Sequence, residues 1–144
     1  MERVETTILS NLIYKEEYTR KVIPFLRTDY FEEKTDKVVF EEISVFLEKY
    51  DKIPTKEILH IEIQKRTDLS QDEFSLVTRL VDSLSPSESD YTWSLDTTEA
   101  WCKERAIYLA LMESIQIADG QDNKKNADAI PSILSDALAV GFDQ

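Results

Sequence analysis

The sequence predicts an all-α fold, and three observations carry that prediction. Apolar residues recur at helical spacing through most segments, as in Val4, Ile8, Leu12 and Ile13. Breakers are scarce, with two glycines, Gly120 and Gly141, and four prolines among 144 residues. No stretch alternates apolar and polar residues in the manner of a persuasive strand, and there is no internal repeat. The order of the helices predicts a globular head, a long antiparallel helical hairpin and a closing linker helix.

The head comes first, over residues 1–66. Val4 to Tyr14 has helical spacing, and Glu16 to about Ile23 follows with Tyr18, Val22 and Phe25 apolar; Pro24 bends or ends it. Thr28 to Glu33 carries Tyr30-Phe31, an aromatic anchor in a loop. Thr35 is placed to cap a third helix to Tyr50, whose stripe is Val38, Val39, Ile43, Phe46, Leu47 and Tyr50. Ile53-Pro54-Thr55 makes a turn ending in a cap, and Lys56 to Arg66 is a fourth helix with Ile58, Leu59, Ile61 and Ile63 apolar. Ser70-Gln71-Asp72-Glu73 is a capping box that opens a fifth helix to about Leu84. Its seam, Phe74, Val77, Val81 and Leu84, is narrow and coiled-coil-like.

The polar run Ser85 to Asp90 returns the chain into the longest helix, Trp93 to Ala118. A short polar loop between two helices most simply makes an antiparallel hairpin, here residues 71–118. Asp96 with Glu99 resembles a capping box, so the start falls between Asp90 and Asp96; Gly120 is a C′ residue. At ~1.5 Å per residue the rod is roughly 39 Å long. Two apolar lines run along it, one through Trp101, Tyr108, Leu111, Met112 and Ile115, the other through Trp93, Ala100, Ile107, Leu111 and Ala118. The pattern fits a central core helix first, and the sharper alternative is one arm of a protruding hairpin whose second face another subunit covers. On the second reading Trp93, Trp101, Ile107, Tyr108, Leu111, Met112 and Ile115 form a dimer interface. Residues 120–128 are polar and read as a flexible linker. Residues 129–142 hold a last amphipathic helix with Pro131 in its first turn, exposing Ile130, Ile133, Leu134 and Leu138 for docking.

Composition narrows the function. One domain of this length buries a core without staples, and a single cysteine, Cys102, rules out an internal disulfide. No apolar run is long enough for a membrane span, and Met1 to Thr7 is no signal peptide, so the expectation is a soluble, cytoplasmic protein. The net charge is −12, unevenly spread: residues 1–66 carry 12 Lys+Arg against 14 Asp+Glu, and residues 67–144 carry 5 against 15. The acidic half repels phosphate and would attract a basic protein, although such acidity can also serve solubility alone. Two glycines cannot build a phosphate loop or a dinucleotide fingerprint, and one His with one Cys cannot make a zinc site. His60, in E-I-L-H-I-E-I, reads as packed or surface histidine. Glu32-Glu33 and Glu41-Glu42 read as solvated helix faces, and the aromatic residues of the long helix lack the interleaved cations of a base-stacking platform. No catalytic, cofactor or metal residues are assigned.

One resemblance adds to this. Ile8-Leu9-Ser10-Asn11-Leu12-Ile13, Tyr30-Phe31, Ile53-Pro54-Thr55, Trp93, Thr98-Glu99, Arg105-Ala106, Ala129-Ile130-Pro131, Ala137-Leu138 and Phe142-Asp143 together resemble the amino-terminal domain of DnaB-like replicative DNA helicases, in particular those of T-even-type bacteriophages. The resemblance is diffuse and covers essentially the whole chain. It implies a collar domain whose hairpins pair into dimers, three dimers making a hexameric ring. It also implies a linker helix docking on a neighbouring ATPase domain and recruitment of primase, with a helicase loader as a further partner. ATP and Mg2+ would belong to the ATPase domain, which is not in these residues, so the chain itself should neither hydrolyse nucleotide nor bind nucleic acid strongly. The rival expectation is a free-standing acidic adaptor that binds a basic host or phage protein; an enzyme with an unfamiliar carboxylate site is a third. A phosphate loop encoded within the next hundred or so codons would decide for the helicase.

Overall fold

The third helix is where the head is assembled, because its apolar stripe is wide enough for several neighbours at once. In the computed structural model, which describes residues 3–122 and 124–143, the α-helices are α1 (Val4–Tyr14), α2 (Glu16–Val22), α3 (Lys34–Tyr50), α4 (Lys56–Gln64), α5 (Gln71–Ser83), α6 (Tyr91–Ala118) and α7 (Ile130–Leu138). Met1, Glu2, Gln144 and Asn123, a member of the expected linker, lie outside the described residues. No strand occurs among the described residues, so the fold is all-α. Two compact units result, Met1–Leu95 and Asp96–Gln144, with the division inside α6.

In the first unit α3 packs against α1, α4 and α5, while α2 lies on α1 and α4 on α5. Ile8, Leu9, Leu12, Tyr18, Val22, Phe31, Val39, Ile43, Leu59, Ile63, Val77 and Val81 are buried to about the last per cent. The aromatic anchor sits inside: Phe31 packs its ring 5.0 Å from that of Phe40. Burying a side chain of this kind contributes roughly 1.5–3 kcal/mol, so this apolar set supplies most of the drive to fold. Of the α5 seam, which the sequence assigns to the long helix, Val77, Val81 and Leu84 are buried and Phe74 is half-buried, as α5 packs on α3 and α4. Helix α5 lies in the first of the two units, Met1–Leu95.

Local signals set most of the ends. Thr55 Oγ1 accepts from the Ile58 amide at 3.2 Å, and the Ser70–Glu73 capping box is complete, its two bonds 3.1 and 2.9 Å long. Gly120, with φ of +73°, ends α6 in a Schellman motif: its amide donates to the Ile117 carbonyl and that of Gln121 to the Gln116 carbonyl. Two starts differ from expectation. Helix α3 begins at Lys34 with no side-chain cap, so Thr35 does not cap it. Helix α6 begins at Tyr91, where Asp90 Oδ2 accepts from the Trp93 amide at 2.9 Å; Asp96 and Glu99 lie inside the helix.

Charged side chains tie the head together. Arg66 donates to Glu42 at 2.7 Å, Glu41 at 3.3 Å and Asp68 at 2.8 Å, so Glu41-Glu42 is a clamped pair and not a freely solvated face. Its guanidinium is held well above its usual pKa, chiefly by the hydrogen bond to Asp68, despite partial desolvation. His60 bridges α4 to α5 through Asp82 at 2.8 Å. The most enclosed charge is Asp36, whose carboxylate is fully buried and held in a two-bond fork by Arg3 at 2.9 and 3.0 Å. Removing Arg3 leaves that carboxylate without its counter-charge. Arg3→Ala should therefore cost about 2 kcal/mol, less than the loss of a fully buried partner because Arg3 is itself half exposed. Urea denaturation of the variant checks this, and an unchanged midpoint would remove the fork from the list of stabilising contacts.

Candidate protein-interaction surface

Helix α6 has two apolar sides, and they differ in side-chain size. The buried side runs through Ser94, Thr98, Cys102, Ala106, Ala110 and Ser114, one small residue every fourth position, with Trp101 and Ile117 beside it. The residues on this line carry little side-chain volume. The opposite side keeps large residues in water: Trp93 is 51% exposed, Tyr108 45%, Leu111 48%, Met112 41% and Ile115 53%. Single exposed apolar residues are ordinary, but a run of them on one face marks an interaction surface.

The expected interface divides accordingly. Trp93, Tyr108, Leu111, Met112 and Ile115 lie open as the sequence reading requires, and Ile107 is half-buried. Trp101 is buried within the chain. Its position beside Cys102, on the small-residue line, turns it inward. The strict fourfold spacing of small residues is the sequence signal that marks this side. Arg105 sets its guanidinium carbon 4.8 Å from the centroid of the Tyr108 ring, so a cation borders the open face.

The segment after α6 folds back on it. Lys125 Nζ reaches Glu113 at 2.6 Å, and Asp122 Oδ1 accepts from the amides of Lys124 and Lys125. Asn126 then caps a 3-10 turn, Ala127–Ala129, that leads into α7. Beyond α7, the Phe142 amide donates to Glu99 Oε2 at 2.6 Å, and both Ala137 and Phe142 are buried. A side chain at Gly141 would bring its Cβ to 3.3 Å from that same carboxylate, so glycine suits the close approach. Lys125 thus ties the segment after α6 to that helix. Ile130, Ile133 and Leu134 are half-buried, and Leu138 is 59% exposed. The groove between the tail and α6, about 570 Å³, is lined by Asp96, Glu99, Ala100, Lys103, Leu138 and Val140 among others.

No group of three or more His, Cys, Asp or Glu among the described residues could hold a metal ion. No helix there is long and apolar enough to cross a membrane. Burial, with a smaller contribution from Glu99, pushes the Cys102 thiol up to about 12, which makes it a packing residue and not a nucleophile.

Two measurements follow from this geometry. Glu99→Ala removes the acceptor for Phe142, so amide exchange at Phe142 should quicken at least about tenfold, the loss of one charge-assisted hydrogen bond. Exchange across Ala106 to Ala110 should not change; equal acceleration in both places would mean that α6 itself had loosened. For Cys102 the folded thiol stays protonated to about pH 12, whereas an unfolded one ionises near 8.5. Below that lower value both states hold the proton and the thiol adds no pH slope. Above it only the unfolded state loses the proton, so this contribution to stability should fall as pH rises towards 12. Denaturation midpoints for wild type and Cys102→Ala between pH 8 and about 10.5 should diverge in slope, the variant being flatter.

No family model matches the chain. It is similar to the DnaB-like replicative helicase of Enterobacteria phage T4, with 31% identity over 144 aligned residues. The alignment takes in 94% of this chain and 30% of that protein, so the chain spans less than a third of its relative's length. Along nearly its whole length, the chain is thus similar to one part of a DnaB-like replicative helicase.

Proposed function

We propose that the chain serves as the amino-terminal, non-catalytic collar domain of a phage replicative helicase, in which α6 joins subunits and the collar recruits primase. The observation that carries this reading is the open apolar face of α6 in a chain related along 94% of its length to a replicative helicase. Nucleotide hydrolysis then belongs to an ATPase domain, with its ATP and Mg2+, outside these residues. Helix α7 docks on the ATPase domain of a neighbouring subunit, and pairs of collars assemble as a trimer of dimers around a hexameric ring. The net charge of −10 on residues 67–144 keeps DNA away from the collar and favours a basic protein such as primase or a helicase loader.

Energetics support pairing through α6. Trp93, Tyr108, Leu111, Met112 and Ile115 together leave on the order of 500 Å² of mostly apolar surface in water. Two copies joined through it would bury on the order of 1,000 Å², the lower limit for a specific interface. At about 25 cal/mol per Å², less the cost of association, that corresponds to micromolar rather than nanomolar affinity. Higher rings would then need the ATPase domains.

Sedimentation equilibrium from about 1 to about 100 µM should show a reversible monomer–dimer system. Tyr108→Lys should weaken it at least about tenfold, because the ammonium would lose its water at the contact. Wild-type chain that remains monomeric at ~100 µM would mean that α6 is not a subunit contact.

A further inference from the structure

We propose that the outer face of α3, close to its C-terminal end, is a pocket for one arginine side chain of a basic protein partner. This rests on the reading of the chain as a domain that meets a basic protein, and adds where in the first unit that partner is held and by which side chains.

Glu42, Val45, Phe46, Lys49 and Tyr50 recur at helical spacing along one side of α3, beside the buried line of Ile43 and Leu47. Val45 is 60% exposed and Tyr50 51%, so the end of the α3 stripe stands outside the core. The rings of Phe46 and Tyr50, one turn apart, have centroids 4.7 Å from each other and are tilted by 38°. Together with Glu62 of α4, these five residues line a cavity of about 80 Å³. At ~30 Å³ for one water, such a space takes the end of a single side chain and not a helix. A second copy of the chain does not fit the size either. Val45 and Tyr50 leave on the order of 200 Å² in water, and two such patches together fall far below a specific interface.

The lining selects a cation. Two aromatic faces attract positive charge, and Tyr50 is the last residue of α3, where the helix dipole is negative. Lys49 Nζ already lies 5.3 Å from the centroid of the Tyr50 ring, a stand-in supplied by the chain itself. Its side chain is exposed and can return to water at little cost. The two carboxylates differ in availability. Glu42 is only 16% exposed and gives Oε2 to Arg66 at 2.7 Å. Glu62 is 36% exposed, and its 3.3 Å pair with Lys65 is of the exposed kind that contributes little. Arginine suits this lining better than lysine, because a planar guanidinium stacks on a ring while its N–H groups reach a carboxylate, and it sheds water more readily. An anionic side chain would meet two carboxylates, and an apolar one would leave Glu62 with no new contact.

Titration of the chain with Nα-acetyl-arginine amide, followed by NMR, tests the pocket, with probe concentrations up to about 50 mM because a single side chain binds in the millimolar range. Saturable shifts are expected at Val45, Phe46 and Tyr50. The lysine analogue should bind more weakly, and the neutral citrulline and norleucine analogues weaker still, at least about tenfold below arginine. Glu62→Gln should weaken arginine binding at least about threefold, and Lys49→Gln should strengthen it by about as much, since a competing cation is removed. Circular dichroism of each variant is the control for folding. The pocket is overturned if no saturable shift occurs at these residues, or if citrulline or norleucine binds as well as arginine. Shifts spread over the exposed carboxylates of the whole chain would overturn it too, as attraction by charge alone, and so would binding that neither variant moves or that Lys49→Gln weakens. These results leave the collar reading standing, because the sedimentation experiment tests that separately; a monomeric chain that still binds arginine here would keep the pocket and lose the collar.

Discussion

Helix α6 runs for 28 residues without a breaker and is apolar on more than one side, and much of the chain's organisation answers that constraint. The side that is buried is the one with a small residue at every fourth position, and the large side chains Tyr108, Leu111, Met112 and Ile115 face water. The same division of sizes that sorts α6 into covered and open sides makes the open side adhesive. Its adhesiveness is limited, because half-exposed residues at about 25 cal/mol per Å² must still offset the entropy of association.

The first unit answers a different constraint. Helix α3 is shared by α1, α4 and α5, so its orientation must be held against several neighbours together. Apolar packing gives the cohesion but is not directional. The directional part comes from charged forks: Arg3 on Asp36 at the start of α3, and Arg66 on Glu41 and Glu42 in its middle. Exposed ion pairs contribute little, about 0–1 kcal/mol each. These differ because one partner is enclosed: Asp36 is fully buried, and the side chains of Arg66 and Glu42 are only 17% and 16% exposed. The many acidic residues of this chain are thus of two kinds, clamped carboxylates that fix helices and free ones that set the surface charge.

Helix order and most ends were legible in the sequence because they are local. The Thr55 cap, the Ser70–Glu73 box and the glycine stop at Gly120 each depend on residues within one turn, and each stands as read. Where a long-range partner competes, the local rule fails. Asp36 is committed to Arg3, 33 residues earlier, and the start of α3 has no side-chain cap at Thr35. Glu99 has the spacing of a capping box with Asp96, yet its carboxylate serves the Phe142 amide, 43 residues away. The burial of Trp101 is hard to read for another reason. Two apolar lines on one helix do not say which is covered, and a large aromatic residue is a poor guide when the covered line is made of serine, threonine and alanine.

The closing helix shows how far a short segment depends on what it rests against. Nine residues cannot hold a helix alone in water, since nucleation costs more than so few turns return. In this chain α7 is held at both ends, by Lys125 on Glu113 before it and by the Phe142 amide on Glu99 after it. The Lys125–Glu113 pair is largely exposed and contributes little, so most of the hold lies in the short bond to Glu99 and in the burial of Ala137 and Phe142. Leu138 meanwhile faces water, and Ile130, Ile133 and Leu134 are covered only in part. An apolar edge left over in this way can be completed by a second surface without α7 first unfolding. Docking on a neighbouring subunit, as proposed, would then require either that α7 keep the clasp and offer Leu138, or that it surrender the Glu99 bond for a larger buried area. The two routes differ at one atom pair. In the first, the Phe142 amide stays as slow to exchange in an assembled ring as in the isolated chain; in the second it is released when the ring forms.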